Sequence, residues 1–131
     1  MSETVMYNQS NTEKASVLIV EDEDAIRLTL RDFLKKKNYK VYVASDGVGA
    51  IKQLLDYDID VIVTDYRMDV LGGDYWVRFL EKFVKNTCII IMSGFLKSKV
   101  TIPFPVLYKP FDYVELEKLI EKSLTQKAKQ E

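Results

Sequence analysis

The chain has 131 residues, 47% hydrophobic and 30% charged, with 19 Lys and Arg against 20 Asp and Glu. That composition suits one globular domain with its own core, and the balanced charge provides no basic field for holding nucleic acid directly. His is absent and Cys88 stands alone, which excludes His catalysis, His metal ligation, a phosphohistidine donor role and an internal disulfide; no apolar run is long enough for membrane insertion.

Residues 1–14 show no periodicity and are expected to form a flexible leader. Their polar, acidic character lacks the basic-then-apolar order of a secretion signal, which points to the cytoplasm. Val17-Leu18-Ile19-Val20 is a continuous apolar run, mostly β-branched, that stops at Glu21-Asp22-Glu23-Asp24, as in a strand buried on both faces. Ile26, Leu30, Phe33 and Leu34 follow at helical spacing, and Asn38 is the expected terminator. Val41 to Ala44 is a second strand, and Ala50, Ile51, Leu54 and Leu55 mark a second helix. The pattern repeats with a strand Val61 to Thr64 ending at Asp65, and with a helical stripe of Trp76, Phe79, Leu80 and Phe83, assigned to the core. Ile89 to Met92 is a fourth strand ending at Ser93, and Val106 to Tyr108 a short fifth ending at Lys109. Asp112 with Glu115 forms a capping box for a last helix with the face Leu116, Leu119, Ile120 and Leu124, expected to fray from Thr125. The single domain is placed at residues 15–125, with a tail at 126–131.

Strands alternating with helices predict an α/β fold, a doubly wound parallel sheet with helices on both faces. Ligands of such sheets bind beyond the carboxyl ends of the strands. If the first and third strands are neighbours, Glu21, Asp22 and Asp65 meet in one crevice, where their mutual repulsion calls for a cation. Oxygen ligands alone select a hard ion such as Mg²⁺. Asp65 could serve as both ligand and nucleophile, Lys109 could neutralise a phosphoryl oxygen, and the Ser93 hydroxyl could donate to another. Glu23 and Asp24 are read as helix N-terminal carboxylates, which favour the dipole.

The set VLIVEDE, VIVTDYRM, IIIMSG and YKPF, in this order, resembles the receiver domain of bacterial two-component response regulators, over Ser16 to Leu124. The resemblance implies a flavodoxin-like five-stranded sheet in the order 2-1-3-4-5. It also implies Asp65 as phosphoacceptor, Asp22 as direct Mg²⁺ ligand, Glu21 acting through water and the Arg67 carbonyl as a further ligand. Ser93 and Lys109 would contact the phosphoryl group, and Lys109-Pro110 would be cis. The implied partners are a sensor histidine kinase and a downstream protein target. The only catalysis implied is of the chain's own phosphorylation and dephosphorylation. Arg67 and Phe95, both bulky, stand where receivers control hydrolysis of the acyl phosphate.

The chain also departs from that family. Only residues 94–104 separate the fourth and fifth strands, whereas a helix alone takes about 11 residues. The family's fourth helix is therefore expected to be shortened or missing, and a phosphorylation-dependent change is expected within residues 94–105. Val106 stands where receivers place a switch aromatic, and Asp69 where they usually have Pro. A monomer, or a weak dimer not using the family's helix 4, strand 5 and helix 5 face, follows. The alternative function is a receiver-shaped interaction module that works without phosphorylation. A dinucleotide-binding turn would need glycines after the first strand, and a haloacid dehalogenase-type phosphatase would need a carboxylate at Arg67; neither is present.

Overall fold

The computed structural model describes residues 13–94 and 101–130. Five parallel strands, β1 (Ser16–Val20), β2 (Lys40–Ala44), β3 (Val61–Asp65), β4 (Cys88–Ser93) and β5 (Val106–Tyr108), lie in the order β2-β1-β3-β4-β5. Among the described residues four helices connect or follow them: α1 (Asp24–Lys36), α2 (Gly47–Asp56), α3 (Gly73–Phe83) and α4 (Tyr113–Gln130). The parallel, doubly wound sheet is the one expected from the alternating pattern, and its order is the flavodoxin-like one that the family resemblance implied.

Alternation along the central strands explains why their sequences are apolar throughout. Val17 and Ile19, with Val61, Val63, Ile90 and Met92, face one side, where they pack on Leu30 and Leu34 of α1 and Leu116 and Ile120 of α4. Leu18, Val20, Ile62, Ile89 and Ile91 face the other side, against Ala50 of α2 and Trp76, Val77 and Leu80 of α3. A strand covered by helices on both faces has no solvated side on which to place polar residues. Fully burying an aliphatic side chain of this size contributes about 1.5–3 kcal/mol, so these two layers hold the sheet in one register.

The helix ends follow from local chemistry. At the end of α1, Asn38 adopts φ 73, and the Tyr39 and Asn38 N–H groups return to the Leu34 and Lys35 carbonyls. A left-handed residue of this kind satisfies carbonyls that the helix leaves open. Asp46 caps α2 by accepting from the Gly49 N–H at 2.8 Å. At α4 the expected capping box is present: Asp112 accepts from the Val114 N–H, and Glu115 accepts from the Asp112 N–H.

Some expectations change. Leu55 is 80% and Phe83 63% exposed, so the apolar stripes of α2 and α3 are only partly core; each side chain has turned beyond the arc its helix buries. α4 runs to Gln130 without fraying at Thr125, because Ser123 and Lys127 are tied to β4 and its preceding loop through Cys88 Sγ and the Asn86 carbonyl. No helix lies between β4 and β5 among the described residues; residues 95–100, including Phe95, fall outside them.

A buried hydrogen bond links β3 to α3. The Trp76 indole N–H donates to Thr64 Oγ1 at 2.9 Å, and both residues are fully buried. Thr64→Val keeps the shape but leaves the indole N–H without an acceptor, an expected loss of about 1–3 kcal/mol. Urea unfolding followed by circular dichroism measures it, and a difference below about 0.5 kcal/mol would mean that the N–H finds another partner.

Candidate functional site

Parallel register brings the chemically distinctive residues to one edge. Val20 pairs with Thr64, so the residues that follow, Glu21 and Asp65, emerge side by side. Asp65 pairs with Met92, and Ser93 with Tyr108, which places Ser93 and Lys109 at the same carboxyl edge. One carboxylate oxygen from each of Glu21, Asp22 and Asp65 can be chosen so that all three lie within 4.8 Å of one another. Glu21 is fully buried, Asp65 is buried and Asp22 is exposed.

Lys109 crosses from β5 to the two buried carboxylates. Its ammonium donates to Glu21 Oε1 at 2.8 Å and to Asp65 Oδ2 at 3.1 Å. Its backbone N–H donates to the Ser93 carbonyl at 2.8 Å, and the Lys109-Pro110 peptide is cis. Burial pushes the Glu21 carboxyl above its ordinary range, an effect opposed by its bond to Lys109. For Lys109, burial works against the charge but is outweighed by hydrogen bonding to Glu21 and by the Asp65 charge, so its pKa is raised. The ammonium therefore stays charged. The sequence reading left the three anions unbalanced without a metal ion; the structure shows that Lys109 already offsets two of them.

The turn after β1 is held from both sides. Glu21 Oε2 accepts from the Glu23 N–H at 3.2 Å, and the Glu21 carbonyl accepts from the Arg27 guanidinium at 2.9 Å. Arg27 also pairs with Asp24 at 2.5 Å, consistent with reading Asp24 as a helix-start carboxylate. Across the crevice, Arg67 is exposed and lines an open cleft of about 670 Å³ with Asp22, Asp65, Met68 and Asp69. The structure thus unites Glu21, Asp22, Asp65 and Lys109, puts Ser93 at the adjacent strand end, and sets Arg67 on the rim.

Sequence reasoning missed two supports. No role was assigned to Arg27, although a cation five places after Asp22 can reach back to the strand end. The Tyr66 hydroxyl donates to Asp74, and the Gly73 N–H donates to the Tyr66 carbonyl, closing the β3–α3 loop. Burial, followed by the bond to Asp74, pushes the Tyr66 hydroxyl up to about 12. No local periodicity marks a pair eight residues apart. Gly72 is required in this loop, since a Cβ there would lie 2.6 Å from the Met68 carbonyl oxygen.

Removing the central cation gives a direct test. In EDTA at pH 7, Lys109→Met should lose about 3 kcal/mol, the lower end expected for breaking a buried pair because Lys109 retains some water contact. The raised Glu21 pKa means that the folded state binds this proton more tightly than the unfolded state, so acidification favours folding through this group. Without Lys109 this pKa rises further, so the penalty should shrink as pH falls through the raised Glu21 pKa and be smallest once pH reaches the ordinary carboxylate range. Denaturant titrations of both proteins from neutral to acidic pH check this, and a pH-independent penalty would contradict it.

Residues 17–121 match the model of the response regulator receiver domain. The chain is 30% identical over 118 residues to sensor kinase CckA of Brucella abortus, covering 84% of this chain and 12% of that protein. It is 25% identical over 118 residues to sporulation initiation phosphotransferase F of Bacillus subtilis, covering 86% and 95% of the two chains. Several relatives are much longer: the chain spans 25% of regulatory protein AtoC of Escherichia coli and 13% of sensor histidine kinase TmoS of Ectopseudomonas mendocina. Among solved structures, chemotaxis protein CheY4 of Vibrio cholerae superposes with a TM-score of 0.74 at 28% identity, covering 84% of this chain and 98% of that one. TrrA of Thermotoga maritima in complex with Mg(2+)-BeF gives a TM-score of 0.75 at 24% identity over 85% and 100% of the two chains, a likeness of fold. The chain belongs to the response regulator receiver domain family, homologous to the receivers of two-component response regulators and of histidine kinases.

Proposed function

We propose that this chain is a phosphoryl-accepting switch of a two-component phosphorelay, with Asp65 as the acceptor. The observation that carries the reading is the convergence of Glu21, Asp22 and Asp65 at one sheet edge, with the Lys109 ammonium on two of them. The donor set suits Mg²⁺: three carboxylates, a chain without His, and an exposed Asp22 through which water can complete the coordination. Asp22 and Asp65 would hold the ion directly, Glu21 through water, and the Arg67 carbonyl would add a ligand. The binding of Mg(2+)-BeF by TrrA, which shares the fold, supports this assignment. When bound, the ion supplies charge neutralisation for the phosphoryl oxygens.

In the transfer, an Asp65 oxygen attacks phosphorus and forms the acyl phosphate while the bond to the donor's leaving atom breaks. With a histidine kinase as donor, the P–N bond is cleaved and the electron pair and a proton end on the donor imidazole. Lys109 turns from the carboxylates to a phosphoryl oxygen, and its raised pKa keeps it cationic throughout. The Ser93 hydroxyl donates to another oxygen. No separate substrate is turned over. A sensor histidine kinase and a downstream protein are the partners, in the cytoplasm.

Incubation with Mg²⁺ and a small phosphodonor should add one phosphoryl group at Asp65, detected by mass spectrometry, and Asp65→Asn should abolish it. Asp22→Ala should weaken Mg²⁺ binding about tenfold or more, roughly 1.4 kcal/mol, followed through Trp76 fluorescence. Phosphorylation of Asp65→Asn would reassign the acceptor, and no phosphorylation of the parent would favour an interaction module that works without it.

Arg67 on the crevice rim would crowd the path of the attacking water, making the acyl phosphate long-lived. Arg67→Ala should hasten its decay about tenfold, the scale of one positioning effect. An unchanged half-life would remove Arg67 from this role. The expected change within residues 94–105 and the part assigned to Phe95 involve residues outside those described.

A further inference from the structure

We propose that the groove between α2 and α3 is a self-association surface, on which a second copy of this chain packs across a twofold axis. It lies at the amino end of β3, the opposite end of the sheet from Asp65. Its volume is about 600 Å³, and its floor and walls are built by Ile51, Leu54, Phe79 and Val84.

Two features separate this groove from ordinary surface. First, large apolar side chains stand exposed beside the concavity: Leu55 at 80%, Phe83 at 63% and Tyr57 at 48%. A contiguous apolar patch of this kind is uncommon on a monomer and marks an interaction site. Second, the groove is lined by two opposite charges, Asp58 on the α2–β3 loop and Lys85 on the α3–β4 loop. The Lys85 ammonium donates to the Glu81 carbonyl at 2.7 Å. Among the described residues neither Asp58 nor Lys85 takes part in a salt bridge.

Those features select a second copy as the occupant. A twofold contact uses the same patch on both subunits, so each residue's partner must lie on that patch. Here Lys85 of one copy meets Asp58 of the other, twice, while the projecting Leu55 and Phe83 of each copy fill the other's concavity. The paired charges form a rim around an apolar centre, the usual distribution in protein interfaces. Because the groove is remote from Asp65, the acidic crevice stays open in the pair, and the association is independent of phosphoryl chemistry. The patch is small, so the complex is weak, in the range of transient contacts.

Sedimentation equilibrium on the full chain tests this from about 10 μM to about 1 mM, the range expected for a weak contact. The mass should rise from 15.2 kDa toward twice that value. Leu55→Glu should hold the protein at the monomer mass, as should Asp58→Lys or Lys85→Asp alone. Combining Asp58→Lys with Lys85→Asp should restore the dimer, with circular dichroism confirming that every variant is folded. A parent that stays monomeric throughout, or a double exchange that fails to restore association, overturns the proposal. Deleting residues 1–12 identifies a competing occupant: shifted groove amide signals in a protein that stays monomeric would assign the groove to that segment and also overturn it.

Discussion

One ammonium group holds the functional edge of this protein together. Lys109 reaches from an edge strand to two carboxylates on the central strands, 2.8 Å from Glu21 and 3.1 Å from Asp65. Glu21 is fully buried, and an ionised carboxylate removed from water without a partner is strongly disfavoured. The cation makes that burial tolerable. It also fastens β5, only three residues long, to the centre of the sheet, alongside the backbone bond from Lys109 to Ser93. The same contact that stabilises the folded edge therefore concentrates its chemistry.

Rigid packing below the edge gives Asp65 its direction. Thr64 and Tyr66, its chain neighbours, belong to the layer facing α3; one accepts from Trp76 and the other donates to Asp74. Strand alternation then sends Asp65 to the opposite face, toward Glu21 and Lys109. A carboxylate flanked by two anchored residues has little backbone freedom, a condition that site geometry requires. The Arg27 bond to the Glu21 carbonyl performs a comparable task at the end of β1.

Much of this was legible because the relevant rules are local. Uninterrupted apolar runs, mostly β-branched, identified strands buried on both faces, and the residues ending them identified Glu21, Asp65, Ser93 and Lys109. Asn38 and the Asp112–Glu115 pair marked helix ends through backbone geometry that depends on few neighbours. Less was visible where the outcome depends on tertiary placement. Leu55 and Phe83 satisfy helical periodicity as well as any core residue, but whether a neighbouring element covers them is not encoded in spacing. The Tyr66–Asp74 and Trp76–Thr64 bonds share that limitation, since each needs a fixed approach of α3 to β3. Lys109 stood out in the sequence as a candidate phosphoryl partner; its bridge between Glu21 and Asp65 emerges only when three separate strands are assembled.

The end of β5 shows how a change at Asp65 would have to travel under the proposed chemistry. Val106 is partly buried against the α3-side layer, and Leu107 faces the α4 side. Tyr108 shares strand parity with Val106 but is 58% exposed. Val106 has no aromatic ring to move into space near Ser93, and Tyr108 already lies at the surface. Among the described residues a backbone link joins the two strand ends: Ser93 pairs with Tyr108, and its carbonyl accepts the Lys109 N–H. Were Lys109 to leave Glu21 and Asp65 for a phosphoryl oxygen, as proposed, the residue whose side chain moves would be the one whose backbone N–H bonds to β4. A three-residue edge strand has few ladder bonds to resist displacement. The edge strand itself, moving as a short segment, is thus better placed to report on Asp65 than any single side chain rotating within it.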